Sequence, residues 1–127
     1  MTQEKKIILV ADDDSNVRKL IKFSIQDPDY EIIEAASGKE ALEVAKTRKL
    51  DLALLDALMP GLHGFEVARK LKDMPVQHGI KIFILTSVYK QRQYELEAKI
   101  KYGADDYLRK PFQPEDLRAR VRAALGL

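Results

Sequence analysis

The chain has 127 residues, with 22 Lys plus Arg against 20 Asp plus Glu and a formal charge of +2 at pH 7. That length fits one domain with a sizeable core, expected over residues 1–127, and so small a charge bias gives no argument for nucleic acid as a partner. Absence of cysteine excludes disulfides and thiol chemistry, and no apolar run approaches the ~20 residues of a membrane-spanning helix.

The apolar run Ile7 to Ala11 reads as a buried parallel strand and ends on Asp12, Asp13 and Asp14. Val17, Leu20, Ile21 and Ile25 follow at helical spacing, with Asp14 or Ser15 as the cap and Asp27-Pro28 as the stop. Glu31 to Ala35 is a short strand. Ser37 with Glu40 three residues on is a capping box, opening a helix that carries Ala41, Leu42, Val44 and Ala45. The run from Leu52 to Leu55 is a third strand, ending on Asp56. Pro60, Gly61 and Gly64 then mark a loop.

A helix from Gly64 to Lys72 carries Phe65, Ala68 and Leu71, and Met74-Pro75 breaks it. Ile80 to Leu85 is the fourth strand, ending in Thr86-Ser87. The spacing predicts a helix over Tyr89 to Lys101 with a thin apolar stripe of Leu96 and Ile100, stopped by Gly103 as its C′ residue. Asp106 to Arg109 is a fifth strand, followed by Lys110-Pro111. Pro114 suits a first helical position, with Glu115 and Asp116 in the first turn and Leu117, Val121, Ala124 and Leu125 as the apolar stripe.

Five β-α units in alternation predict an α/β fold, a doubly wound, five-stranded parallel sheet with five helices, and the strand order is expected to be 2-1-3-4-5, as in the flavodoxin-like three-layer sandwich. In such sheets ligands bind outside the carboxyl ends of the strands. That edge would gather Asp12, Asp13, Asp56, Thr86 and Lys110. Carboxylates held close together repel one another unless a cation compensates. Hard oxygen donors with room for water suit Mg²⁺, and a carboxylate beside it can accept a phosphoryl group. Asp14 reads as a cap, and His63 and His78 as loop residues.

Taken together, IILVADDDSNVRKLI, LLDALMPGLHGFE, ILTS and GADDYLRKPFQPEDL resemble the response-regulator receiver domain of bacterial two-component signalling. The resemblance implies Asp56 as phosphoacceptor. It implies Mg²⁺, or Mn²⁺ in its place, on Asp13, Asp56 and the backbone carbonyl of Leu58, with Asp12 acting partly through water. Thr86 would hydrogen-bond the phosphoryl group and Lys110 would pair with it. Tyr107 would be an aromatic switch that turns inward, and Lys110-Pro111 a cis peptide. The implied partners are a sensor histidine kinase or histidine phosphotransfer protein, a downstream protein target or effector domain, and a phosphorylation-dependent homodimer. Direct contact with nucleic acid or membrane is not implied, and the location is cytoplasmic.

The chain departs from the family pattern in three places. His63 stands where the family usually has an acid, Ser87 follows Thr86 where a smaller residue is usual, and Thr86 to Gly103 is longer than usual. Two competing functions can be weighed. A Mg²⁺-dependent phosphatase with Asp56 as nucleophile would need a second acid two residues on, where Leu58 stands. A pseudo-receiver would lack the acid pair, the acceptor or the lysine, and all are present here. The chain is either a stand-alone receiver or part of a longer regulator.

Overall fold

The protein is described by a computed structural model covering residues 4–127, so residues 1–3 of the expected domain lie outside the described part. Five strands alternate with five helices: β1 Lys6–Ala11, α1 Ser15–Ile25, β2 Tyr30–Ala35, α2 Gly38–Thr47, β3 Leu52–Asp56, α3 Gly64–Asp73, β4 Lys81–Thr86, α4 Arg92–Ile100, β5 Asp106–Arg109 and α5 Pro114–Ala124. A short 3₁₀ turn, Pro75–Gln77, lies between α3 and β4. The sheet is parallel with order β2-β1-β3-β4-β5. No helix among the described residues is long and apolar enough to cross a membrane.

Residue alternation along the strands explains the two apolar layers. Ile8, Val10, Leu52, Leu54, Phe83, Leu85 and Leu108 face one side, where Ile21 and Ile25 of α1 meet Leu117 and Val121 of α5. Leu9, Ala11, Ala53, Leu55, Ile82 and Ile84 face the other, against Ala41 and Ala45 of α2, Val67, Ala68 and Leu71 of α3, and Ala98 of α4. Each fully buried Leu or Ile contributes about 1.5–3 kcal/mol. Both faces are therefore covered, and only the strand ends are open to a ligand.

The caps follow the sequence in part. Asp14 caps α1 by accepting from the Asn16 amide at 2.8 Å. Ser37 accepts from the Glu40 amide at 3.1 Å, but the reciprocal bond of a full capping box is absent among the described hydrogen bonds. Gly103 takes φ +79°, the left-handed region that favours glycine, but α4 is capped at Lys101, so it stands one residue past the expected C′ position.

Helix α4 departs from the sequence reading. It starts at Arg92, three residues later than Tyr89, because the Thr86 side chain captures the Val88 and Tyr89 amides and holds that stretch as a turn. Its buried residue is Ala98, whereas Leu96 and Ile100 are 45 % and 82 % exposed. Residues four apart share one face, and here the apolar pair points outward while the small residue meets the sheet.

Candidate functional site

β1 and β3 are neighbours, so their carboxyl ends lie side by side. Beyond β1, the Asp12 amide donates to the Ala35 carbonyl at 3.1 Å, carrying the chain straight off the sheet edge. Asp12 is 2 % exposed and Asp13 is exposed. Asp56 is the last residue of β3. One carboxylate oxygen from each of Asp12, Asp13 and Asp56 lies within 4.8 Å of the others.

Lys110 follows β5 through a backbone bond from its amide to the Thr86 carbonyl, 2.7 Å. Its ammonium donates to Asp12 Oδ2 at 2.8 Å and to Asp56 Oδ1 at 3.1 Å. The Lys110-Pro111 peptide is cis. Burial raises the Asp56 pKa, Lys110 opposes that rise, and the charges of Asp12 and Asp13 add to it. Burial works against the Lys110 ammonium, yet its bond to Asp12 and the charges of Asp56 and Asp12 raise its pKa overall. The cluster is thus acid-rich, with one internal cation that compensates it in part.

Gly64 sets the depth of this site. Its amide donates to the Ala57 carbonyl at 2.9 Å, and a Cβ there would lie 2.2 Å from the Asp56 carbonyl oxygen. The start of α3 can approach β3 this closely only without a side chain. Gly64→Ala is therefore expected to push the end of β3 outward and to cost roughly 1–3 kcal/mol. A urea midpoint equal to that of the unmodified protein would show that the backbone absorbs the methyl.

Thr86 is fully buried at the end of β4. Its Oγ1 accepts from the Val88 amide at 3.1 Å and the Tyr89 amide at 2.9 Å. Tyr107 is 3 % exposed, already turned inward, and its hydroxyl donates to the Tyr89 carbonyl at 2.6 Å. Its ring stacks on Phe65 at 6.3 Å. Leu58 is 44 % exposed beside the acids. His63 precedes α3 without a side-chain capping bond, and His78 follows the 3₁₀ turn, so neither joins the acids.

The family model for the response regulator receiver domain matches residues 8–122. This chain belongs to the response regulator receiver domain family. It is 38 % identical over 120 residues to the alkaline phosphatase synthesis transcriptional regulatory protein PhoP of Bacillus subtilis, covering 94 % of this chain and 48 % of that protein. It is 39 % identical over 120 residues to the phosphate regulon transcriptional regulatory protein PhoB of Pseudomonas aeruginosa, covering 94 % and 52 %. The chain thus spans about half the length of these relatives.

Among solved structures, it resembles a CheY-like receiver domain protein from Methanospirillum hungatei at 28 % identity and TM-score 0.86, covering 97 % of this chain and 95 % of that one. It also resembles the BeF3-activated receiver domain of DrrB, with 28 % identity, TM-score 0.84 and coverage of 97 % and 99 %. The response regulator DrrB is a Thermotoga maritima OmpR/PhoB homologue. The fold is therefore that of the phosphoacceptor switches of two-component signalling.

This receiver domain has one supporting group that the sequence reading passed over. Arg18 of α1 donates from Nη1 to the Asp12 carbonyl at 2.6 Å and from Nε to Glu34 Oε1 at 2.9 Å. Lys22 also reaches Glu34, at 3.1 Å. Hydrogen bonds from Lys22 and Arg18 hold the Glu34 carboxyl below its ordinary pKa. The signal was present: Glu34 is a charged residue inside a short strand, and Arg18 lies one helical turn after the acids.

The raised pKa of Asp56 has a measurable consequence in the metal-free receiver. A carboxyl whose folded pKa exceeds its unfolded value binds more protons folded than unfolded, so its contribution is lost as pH rises through the folded pKa. Asp56→Asn is therefore expected to melt at a higher temperature than the unmodified domain at neutral pH in EDTA. The gap should narrow as pH falls toward about 4. A less stable Asp56→Asn at neutral pH would mean that the Lys110 bond outweighs burial.

Proposed function

We propose that this receiver domain accepts one phosphoryl group on Asp56 from a sensor histidine kinase or histidine phosphotransfer protein and relays that state through Thr86. The observation that carries this reading is the Lys110 ammonium between Asp12 and Asp56, with Asp13 beside them. Three carboxylates with oxygens within 4.8 Å and one shared ammonium fit a small hard cation. Mg²⁺, or Mn²⁺ in its place, would be held by Asp12, Asp13, Asp56 and the Leu58 carbonyl. When bound, it would neutralise charge on the phosphoryl oxygens.

In this reading the ionised Asp56 oxygen forms a bond to phosphorus as the bond from phosphorus to the donor's histidine nitrogen breaks. Lys110 stays charged through the transfer and re-aims its N–H groups from Asp56 toward a phosphoryl oxygen. Thr86 donates a hydrogen bond from its hydroxyl to another. Its Oγ1 now accepts from two amides of the following turn, so moving the hydroxyl toward Asp56 pulls on that turn. Tyr107 is already inward, so the moving part is the segment from Ser87 to Gln91 and not the ring. Driving the change from 1:99 to 99:1 needs about 5.5 kcal/mol of differential binding. Charge-assisted hydrogen bonds of ~1.5–3 kcal/mol each supply much of that.

The altered surface would be that of α4, β5 and α5, read by a downstream protein, an attached effector domain or a second copy of the chain. The role is that of a cytoplasmic switch and not a turnover enzyme. Leu58, two residues after the acceptor, offers no acid to speed hydrolysis, which weighs against the phosphatase reading. Beryllofluoride with Mg²⁺, a stand-in for the phosphoryl group, tests the relay by NMR. Amides from Ser87 to Ile100 and from Asp106 to Arg109 should shift in the unmodified domain. Thr86→Ala should keep the shifts around Asp13 and Asp56 and lose the remote ones. The full remote response in Thr86→Ala would exclude Thr86 as the link.

A further inference from the structure

We infer that the aromatic pocket between α3 and α4 is a docking site for an arginine side chain of a protein partner. The pocket holds about 150 Å³ and is lined by His63, Phe65, Tyr89, Tyr94, Glu97 and Tyr102. The pocket opens to solvent, a volume of that order accommodates a benzene-sized group, and a guanidinium with its last methylene is of similar size. Phe65 packs on Tyr89 at 5.7 Å and on Tyr102 at 5.5 Å between centroids, and Tyr89 packs on Tyr94 at 4.9 Å. The four rings are half-buried, so their outer parts remain in reach of a partner.

Charge chooses the occupant. Glu97 is the lining carboxylate, and among the described residues it forms no ion pair. Its helix neighbour Glu95 is held by both Lys99 and Arg109. Aromatic faces attract cations, and a planar guanidinium also stacks on them. One of these rings already does so within the chain: Lys101 Nζ lies 5.3 Å from the Tyr102 centroid. Arg109 likewise lies 5.5 Å from the centroid of the adjoining Tyr107. Asp12, Asp13 and Asp56 are not among the lining residues, so the pocket is distinct from the acid cluster.

One wall, Tyr89, is held in place in the unphosphorylated domain. Tyr89 is tied through its amide to Thr86 Oγ1 at 2.9 Å and through its carbonyl to the Tyr107 hydroxyl at 2.6 Å. A preorganised site spends less on ordering its own groups when the ligand arrives. The inference does not depend on Asp56 being the phosphoacceptor.

The test uses N-acetyl-arginine amide and its neutral near-isostere N-acetyl-citrulline amide, titrated into the ¹⁵N-labelled domain. Mg²⁺ is kept saturating so that the guanidinium does not enter the acid cluster. The arginine probe should give saturable shifts centred on the amides of Tyr89, Tyr94, Glu97 and Tyr102, with little response to citrulline. Glu97→Gln, an exposed change that spares the fold, should weaken arginine binding about threefold or more. Equal shifts with citrulline, no saturable shifts at these amides, shifts confined to the acid cluster, or unchanged affinity in Glu97→Gln would each overturn the inference.

Discussion

Gln77→Ala is expected to lower unfolding free energy by roughly 3–5 kcal/mol, a large part of the 5–15 kcal/mol typical of a domain. Gln77 is 1 % exposed in the 3₁₀ turn between α3 and β4. Its Oε1 accepts from the Leu50 amide at 2.8 Å, and its Nε2 donates to the Ala45 carbonyl at 2.8 Å and the Arg48 carbonyl at 2.6 Å. One amide side chain thus serves the last turn of α2 and the approach to β3. These helix carbonyls have no partner within the helix, so another group must satisfy them.

Alanine leaves an amide and two carbonyls unpaired in a dry place, and each orphan costs about 1–3 kcal/mol. It also leaves a cavity. Gln77→Leu separates the two causes, because it restores most of the volume and none of the bonds. Urea unfolding should rank the two variants close together and both well below the unmodified domain. A Gln77→Leu variant of normal stability would mean that volume and not hydrogen bonding is what Gln77 supplies.

Nothing local announces Gln77. It stands in the polar stretch PVQHG, after a helix-breaking Met74-Pro75, where sequence logic stops at a surface turn. Its burial is decided by α2 and β3, some thirty positions away in the chain. The strands were legible for the opposite reason. A parallel strand covered on both faces reads as an unbroken apolar run, and these runs end on Asp12, Asp56 and Thr86. Right-handed crossovers then leave few ways to order five such strands, so the same edge could be named from sequence.

The helix faces were less legible where the packing is thin. Ala98 carries α4 onto the sheet while the larger Leu96 and Ile100 face outward, an arrangement that hydrophobicity alone ranks the wrong way round. The inward setting of Tyr107 depends on Phe65 from α3 and on the Tyr89 carbonyl. Neither contact is a sequence neighbour. Gly64 looked like a loop glycine, and its real task is a close backbone approach in which a Cβ would lie 2.2 Å from the Asp56 carbonyl oxygen.

The largest functional effect is expected at Asp56 itself. The side chain is 11 % exposed at the end of β3, within reach of the Lys110 ammonium and beside two further acids. Phosphoryl transfer depends mainly on positioning the nucleophile and neutralising charge on the transferred group. Of the three acids, Asp12 lies deepest, with its Oδ2 on the Lys110 ammonium at 2.8 Å, and Asp13 opens to solvent beyond β1. Asparagine preserves the shape of Asp56 and removes the anionic oxygen that would attack phosphorus in the proposed reaction.

The direct measurement is intact mass after incubation with acetyl phosphate and Mg²⁺, for the unmodified domain and for Asp56→Asn. The unmodified domain should gain a single phosphoryl group that hydroxylamine removes, as an acyl phosphate requires, and Asp56→Asn should gain none. Phosphate retained on Asp56→Asn at the level of the unmodified domain would contradict the assignment of Asp56 as the acceptor.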